Sequence, residues 1–431
     1  MNVKESEIEY KSFYTIIFST NYFFQGITTS VFTVIIPIYL IMLVGGISAS
    51  EIAFLASIIL IPWALKVFFA ILSDKFGSKR LGRRKPYILG PIMIAGIVWF
   101  FLSIPNIATP NNALLVFTLA GVLINFGVAI SDTALDGFII DICPKERLGR
   151  TQGFCWGMNS VGQITGGPFL AFLLVIVKLL TVQSIFIIVG ISMIITSLLM
   201  LIVKDKEYLP KFEIKVNLKN MFNNKRDWLA FFYSMLRALL DGVIVLLISI
   251  FVLIKIGVIK SNGATLTTRS GDMSIYIYQA NVSFIISIGI IVGAILGGQL
   301  ADLKSRRFSV MLSVLITTLS LLLFMSNISY IPLILLFASL TGAALGWRRA
   351  SASAIMSQLS KKHPEMDSTY FSVAMAFANI GASIGLALSG IILDATQNYS
   401  LTFLYLALIS LLVIIPLLLM NPKDYEHKFM E

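Results

Sequence analysis

The sequence predicts an all-α integral membrane protein, with twelve transmembrane helices in two pseudo-symmetric six-helix bundles. Three observations carry this. Of 431 residues, 57% are hydrophobic and 13% charged, and mean hydropathy is +0.89; a soluble domain carries about 25% charged residues. Apolar stretches close to the ~20 residues that cross a hydrocarbon core recur along the whole chain. The two halves also repeat polar features at matching places. With so few polar side chains to cover a surface, a soluble enzyme, a nucleic-acid binder and a secreted disulfide scaffold are excluded as readings of the whole chain.

The spans follow in order. In the first half they are predicted near Phe13–Val44, Glu51–Ser73, Pro86–Ile104, Ala113–Ile142, Gly149–Val177 and Ser184–Val203. In the second they fall near Trp228–Ile254, Met273–Ala301, Phe308–Ser326, Ile331–Ser357, Thr369–Leu393 and Thr402–Met420. This divides the chain into an N-terminal bundle (1–203), a polar linker (204–227), and a C-terminal bundle with a short tail (228–431). Met1–Lys11 mixes Lys4 and Lys11 with Glu5, Glu7 and Glu9. A cleaved signal has instead a basic segment and a short apolar core, so the first apolar stretch is expected to stay as a span.

Orientation follows from Lys and Arg, which collect in cytoplasmic loops. With the N-terminus inside, 25 of the 33 basic residues fall in cytoplasmic termini and loops. Lys178, Lys255, Lys260 and Arg269 lie on the outer side, and Lys66, Arg237, Arg348 and Arg349 lie within spans. Both termini are therefore expected in the cytoplasm of a cell-membrane protein. The net charge of +11 reads as this loop bias, so no nucleic-acid partner is expected. Cys143, Cys155, His363 and His427 give no closely spaced metal ligands and no disulfide framework. Neither metal nor cofactor is expected, and the absence of a phosphate-binding loop argues against direct ATP drive.

The repeat is specific. After the second span comes Ala70-Ile71-Leu72-Ser73-Asp74-Lys75-Phe76-Gly77, then a basic run; after the eighth comes Gly298-Gln299-Leu300-Ala301-Asp302-Leu303-Lys304-Ser305-Arg306-Arg307. Gly162 and Gly166 of the fifth span match Gly381 and Gly385 of the eleventh, and Asn159 and Gln163 match Asn379 and Ser383. Small residues at such spacing also serve helix packing alone.

On these residues the chain resembles the major facilitator superfamily along essentially its whole length. The family's loop motif fits at Asp74, Lys75 and Gly77, with Ala70 for the first glycine; the second copy keeps Gly298, Asp302 and Arg306 but has Ser305 where glycine is expected. Ile61-Pro62-Trp63-Ala64-Leu65-Lys66, Gly82-Arg83-Arg84-Lys85-Pro86-Tyr87, Ser131-Asp132-Thr133-Ala134-Leu135-Asp136-Gly137 and Gln152-Gly153-Phe154-Cys155-Trp156-Gly157 look like the folate–biopterin transporter group. Muropeptide permeases and acetyl-CoA transporters have similar patterns, and the basic loop is similar to that of glycoside–cation symporters. The resemblance implies a substrate site near mid-bilayer, lined by the first, fourth, seventh and tenth spans, and alternating access. It implies a small solute, a coupling ion (a proton foremost) and membrane lipids as partners.

Ionisable residues inside spans cost ~2.5–3.5 kcal/mol on insertion scales, so each calls for a reason. Lys66 lies eight residues before Asp74, about 12 Å inside the cytoplasmic end; it either faces the solute path or snorkels to headgroups. Asp132 and Asp136 share a face of the fourth span, as a proton carrier or as permanent partners of Lys66 or Arg348. Arg348 and Arg349 lie at a similar depth in the tenth span, and one is expected to gate against the fourth-span carboxylates while the other snorkels. Arg237 and Asp241 form an i,i+4 pair matching Asn21 and Gln25, 216 residues earlier; they either neutralise each other or bind substrate.

Gln279, Asn159 and Asn379 complete the substrate-binding candidates. Asp74, Lys75, Gly77, Arg83, Arg84, Asp302 and Arg306 are expected to set conformational balance, with the aspartates accepting bonds at a neighbouring helix N-terminus. The reading is a secondary transporter of a small polar or anionic metabolite, proton-coupled. The alternatives are a sugar transporter like the glycoside–cation symporters, or a non-transporting assembly or receptor protein on the same fold. No catalytic residues are expected.

Overall fold

In hydrocarbon every backbone N–H and C=O must find its partner inside the segment, so apolar sequence of span length folds as helix. The computed structural model describes residues 10–78, 80–204, 222–268, 272–326, 328–362 and 367–426, with the side chains of residues 74, 145, 146, 148, 149, 152, 367 and 368 outside that description. Among the described residues, twelve helical stretches are long and apolar enough to cross a membrane. They run Phe13–Val44, Ala49–Ser73, Lys85–Ser103, Ala113–Ile142, Gly153–Val175, Val182–Ile202, Lys225–Lys255, Ser274–Leu303, Arg306–Leu323, Ile331–Ser360, Thr369–Thr396 and Tyr399–Leu419. Each coincides with an expected span to within a few residues. Most of the expected linker, together with Arg269, His363 and His427, lies outside the described residues.

Several spans are interrupted, which hydropathy did not reveal. The first has a π-helical stretch at Val31–Ile35, followed by Pro37; the fifth has another at Thr165–Phe169, which contains Pro168. Proline lacks the N–H and crowds the carbonyl four residues back, so the ladder must open there. The second span breaks around a four-residue helix, Ile61–Ala64, that contains Pro62, and resumes at Lys66. The seventh ends a helix at Arg237 and starts another at Asp241, without proline.

The packing forms two compact units. One comprises Met1–Phe32, Leu65–Ala108 and Leu119–Ile214. Its core joins spans 1, 3, 4, 5 and 6 through Tyr14, Phe18, Ile88, Phe138, Cys155 and Met200. Gly162 and Gly166 lie so close to the first span that a Cβ would overlap the carbonyl oxygens of Phe23 and Ile27.

The other unit comprises Thr33–Ala64, Thr109–Thr118 and Lys215–Glu431. Here Gly381 and Gly385 lie equally close to Met235 O and Leu239 O of the seventh span. The repeated glycines thus do the same work twice, fifth span on first and eleventh on seventh. This unit also takes in the later part of the first span, most of the second and the start of the fourth, so the division does not fall at the end of the expected N-terminal bundle, 1–203. β1 (Ile47–Ser48) pairs antiparallel with β3 (Thr265–Thr267), which pairs with β2 (Lys260–Asn262). Ser57 and Ser383 exchange hydroxyl-to-carbonyl bonds, each 2.8 Å.

Candidate functional site

Two clusters of charge lie inside spans, one in each unit, and both sit at a helix interruption.

In the first unit, Lys66 opens the helix that resumes after the Pro62 break. Its ammonium is salt-bridged to Asp132, with side chains 15% and 5% exposed. One turn further along the fourth span, the Tyr22 hydroxyl donates to Asp136. The edge of Trp156 meets the Tyr22 ring, with centroids 5.7 Å apart. Lys66, Asp132 and Asp136 are therefore brought together, and Lys66 does not snorkel. Among the described residues one cation serves these two carboxylates, so full charge balance needs one more positive charge.

Tyr22 was not singled out by sequence reasoning. It sits beside Asn21, and a buried tyrosine needs a partner for its hydroxyl, which was the available signal. Asn21 itself donates back to Ile17 O at 3.0 Å and so satisfies its own helix. Gln25 is buried, and its Nε2 has no partner among the described residues. Asn159 donates to Tyr22 O at 3.1 Å, which holds the fifth span on the first.

In the second unit Asp241 takes three arginines. Arg349 Nε lies 3.0 Å from Oδ2, Arg237 Nη1 3.4 Å from Oδ2, and Arg348 Nη2 3.5 Å from Oδ1. Arg348 is 1% exposed and Arg349 42%. The expected Arg237–Asp241 pair is present but is half of the arrangement. The tenth-span arginines do not divide into one gate and one snorkelling chain: both guanidiniums reach Asp241. The partner of Arg348 is thus Asp241, while that of Asp132 is Lys66. Arg237 ends one helix and Asp241 begins the next, so each charge complements its helix dipole.

The other candidates fall elsewhere. Gln279 is fully buried and donates to Ser249 Oγ at 3.1 Å, which fastens the eighth span to the seventh. Asn379 donates to Trp63 O at 3.2 Å, within the same unit. In the loop motif, Arg83 and Arg84 both bond Asp141, and Arg84 Nη1 donates to Ser73 Oγ at 2.8 Å. Asp141 is their shared acceptor. Lys75 lies over the Phe76 ring and Gly77 is exposed.

The Asp74 side chain is outside the described ones, and Asp302 is exposed beside Arg306. The acceptor at the ninth span's N-terminus is Glu426, which sequence reasoning missed. Its carboxylate takes Arg306 N at 3.0 Å, Arg307 N at 2.7 Å and Ser305 Oγ at 2.8 Å. Among the described residues no group of His, Cys, Asp and Glu is arranged to hold a metal. Cys143 and Cys155 are free thiols.

Twelve helical spans, an internal duplication and ionisable clusters inside the spans define a multi-pass membrane protein of the kind built from two six-helix repeats. The Major Facilitator Superfamily model matches residues 18–259 and 250–429, and the chain belongs to that family. It is 26% identical over 204 residues to the transporter candidate AmpG 1 of Rickettsia conorii, covering 46% of this chain and 48% of that one. It is 26% identical over 170 residues to the candidate folate-biopterin transporter 4 of Arabidopsis thaliana, covering 38% and 33%. The chain thus spans about half the length or less of these curated relatives. Among solved structures, the nucleoside transporter NupG superposes with a TM-score of 0.64 at 16% identity, over 94% of this chain and 97% of that one. The xylose transporter XylE of E. coli gives 0.67 at 14%, over 96% and 98%. These likenesses establish the fold.

Proposed function

We propose that the chain is a secondary transporter that moves a small polar or anionic metabolite by alternating access, with protons as the coupling ion and both termini in the cytoplasm. The observation that carries this is the pair of charge clusters inside the spans, each placed where a helix is interrupted. Ionisable groups held within a membrane are costly and mark solute and proton pathways, and discontinuous helices line the sites of secondary transporters. Family membership and the names of the relatives support the same reading.

The two clusters divide the work. Lys66, Asp132, Asp136 and Tyr22 form the proton site: with one cation for two carboxylates, a proton completes the charge. The protonated carboxylate keeps a hydrogen-bond partner in Tyr22. Arg237, Arg348 and Arg349, positioned by Asp241, form the solute site. The loop bonds from Arg83 and Arg84 to Asp141 and from the ninth span to Glu426 fix cytoplasmic helix ends and set conformational balance.

The experiment is uptake into proteoliposomes with and without an imposed pH gradient. The panel holds labelled dicarboxylates, phosphate esters, pterins, nucleosides and sugars. Gradient-dependent accumulation of at least one compound is expected. Absence of uptake and of exchange across the panel, with binding intact, would favour a receptor or assembly role on this fold.

A further inference from the structure

We infer that the arginine cluster of the second unit is a binding site for a soluble oxyanion carrying two negative charges, such as a dicarboxylate or a phosphate monoester. This rests on the transporter reading above and narrows its solute.

The charge count comes first. Among the described residues, Arg237, Arg348 and Arg349 converge on Asp241 alone, so two positive charges stay without a carboxylate in that cluster. Uncompensated charge inside a span is costly, and a ligand with two negative charges removes the excess.

Geometry comes second. Only the Arg349 bond to Asp241 has ordinary hydrogen-bond length, at 3.0 Å; those of Arg237 and Arg348 are stretched to 3.4 and 3.5 Å. A charge-assisted N–H···O bond prefers ~2.7–2.9 Å, so two of the three guanidiniums are held near the carboxylate without being saturated by it.

The third observation is unsatisfied donors. Arg348 is 1% exposed and Arg237 5%, and the Nε of each is buried with no partner among the described residues. A guanidinium presents five donors in a planar fork that matches carboxylate and phosphate oxygens two at a time. Two underused forks suit an anion with oxygens to share. The fourth observation is access: Arg349, 42% exposed, is the most exposed of the three arginines. Asp241 keeps dipole support as the first residue of its helix, so it need not hold all three arginines when a second anion arrives.

The test uses the purified full chain in nanodiscs of phosphatidylcholine, and its readout is the melting midpoint. Sulfate, hydrogen phosphate and succinate are titrated against chloride and acetate at matched ionic strength. The dianions are expected to stabilise at concentrations at least tenfold lower than acetate. Arg349→Gln is expected to remove that preference, whatever its effect on the unliganded midpoint; Arg348→Gln, where it folds, removes it too. Equal responses to singly and doubly charged anions would overturn the assignment, as would a dianion preference that survives Arg349→Gln. Stabilisation only when phosphatidic acid is added to the discs would assign the site to a lipid headgroup and overturn the soluble source. Gradient-driven uptake of a neutral solute, indifferent to all these anions, would refute the dianion and leave the transporter reading standing. Dianion binding without any transport would do the reverse.

Discussion

The charge clusters of the two units are opposite in composition. Lys66 faces Asp132, with Asp136 beside it on Tyr22, so carboxylates outnumber cations. Around Asp241 three arginines face one carboxylate, so cations outnumber carboxylates. Each cluster has a charge at a helix interruption, Lys66 after the Pro62 break of the second span and Arg237 with Asp241 in the seventh, while the repeated glycine pairs pack on the first and seventh spans. Duplication supplied the scaffold twice, and the polar side chains then diverged. The glycine contacts set Phe23 against Met235 and Ile27 against Leu239, so Gln25 corresponds to Arg237 and Asn21 to Tyr233, one helical turn from the expected matching of Asn21 and Gln25 with Arg237 and Asp241. Asn21 bonds its own helix while Arg237 joins the second cluster.

The comparison is broken most severely at Lys66. Lys66→Met leaves Asp132 and Asp136 with no cation, and removal of one partner of a buried pair costs about 3–5 kcal/mol. The expected outcome is a large loss of unfolding resistance in detergent, largely restored in the double variant Lys66→Met with Asp132→Asn. A single variant as stable as the parent would show that the pair is not buried in the membrane-embedded protein. Next in size are the glycines. Gly162→Val and Gly381→Val each push a side chain into a carbonyl of the neighbouring helix. Each should cost about 1–3 kcal/mol, by similar amounts, since the duplication gives both the same packing role. Unequal losses, measured by thermal unfolding, would argue against that equivalence.

Arg348→Met comes third. Asp241 retains Arg237 and Arg349, so no carboxylate is stranded, and the loss should be about 1 kcal/mol, well below that for Lys66. Ser57→Ala is the smallest. It removes one donor of a reciprocal pair with Ser383 and should cost about 0.5–1.5 kcal/mol.

How much of this was legible in the sequence depends on range. Span positions follow from local hydropathy, so all twelve were readable; the duplicated glycines and loop charges gave the two-half organisation. Depth along a helix was readable as well, which is why Lys66, Asp132, Asp136, Arg237, Asp241 and Arg348 were identifiable as residues inside spans. Their pairing was not readable. Depth alone allowed Asp132 to meet Lys66 or Arg348, and only the lateral packing of helices separates those partners. The breaks near Pro37, Pro62 and Pro168 hold prolines that a reading of hydropathy alone passes over, Pro91 sits inside an unbroken helix, and the break after Arg237 carries no proline. Glu426 was hidden for the same reason: its role depends on a chain end returning to a helix that begins 120 residues earlier.

The central claim is that the first cluster carries the proton and the second the solute. The most direct measurement compares pH-gradient-driven accumulation with solute exchange at equal pH, in one proteoliposome preparation, for the parent protein and Asp136→Asn. Succinate and glycerol 3-phosphate are the first labelled solutes to use. Asp136→Asn is expected to lose accumulation while it retains exchange within about twofold of the parent. Accumulation at the parent level against the same gradient, or loss of exchange together with accumulation, would contradict the division of labour.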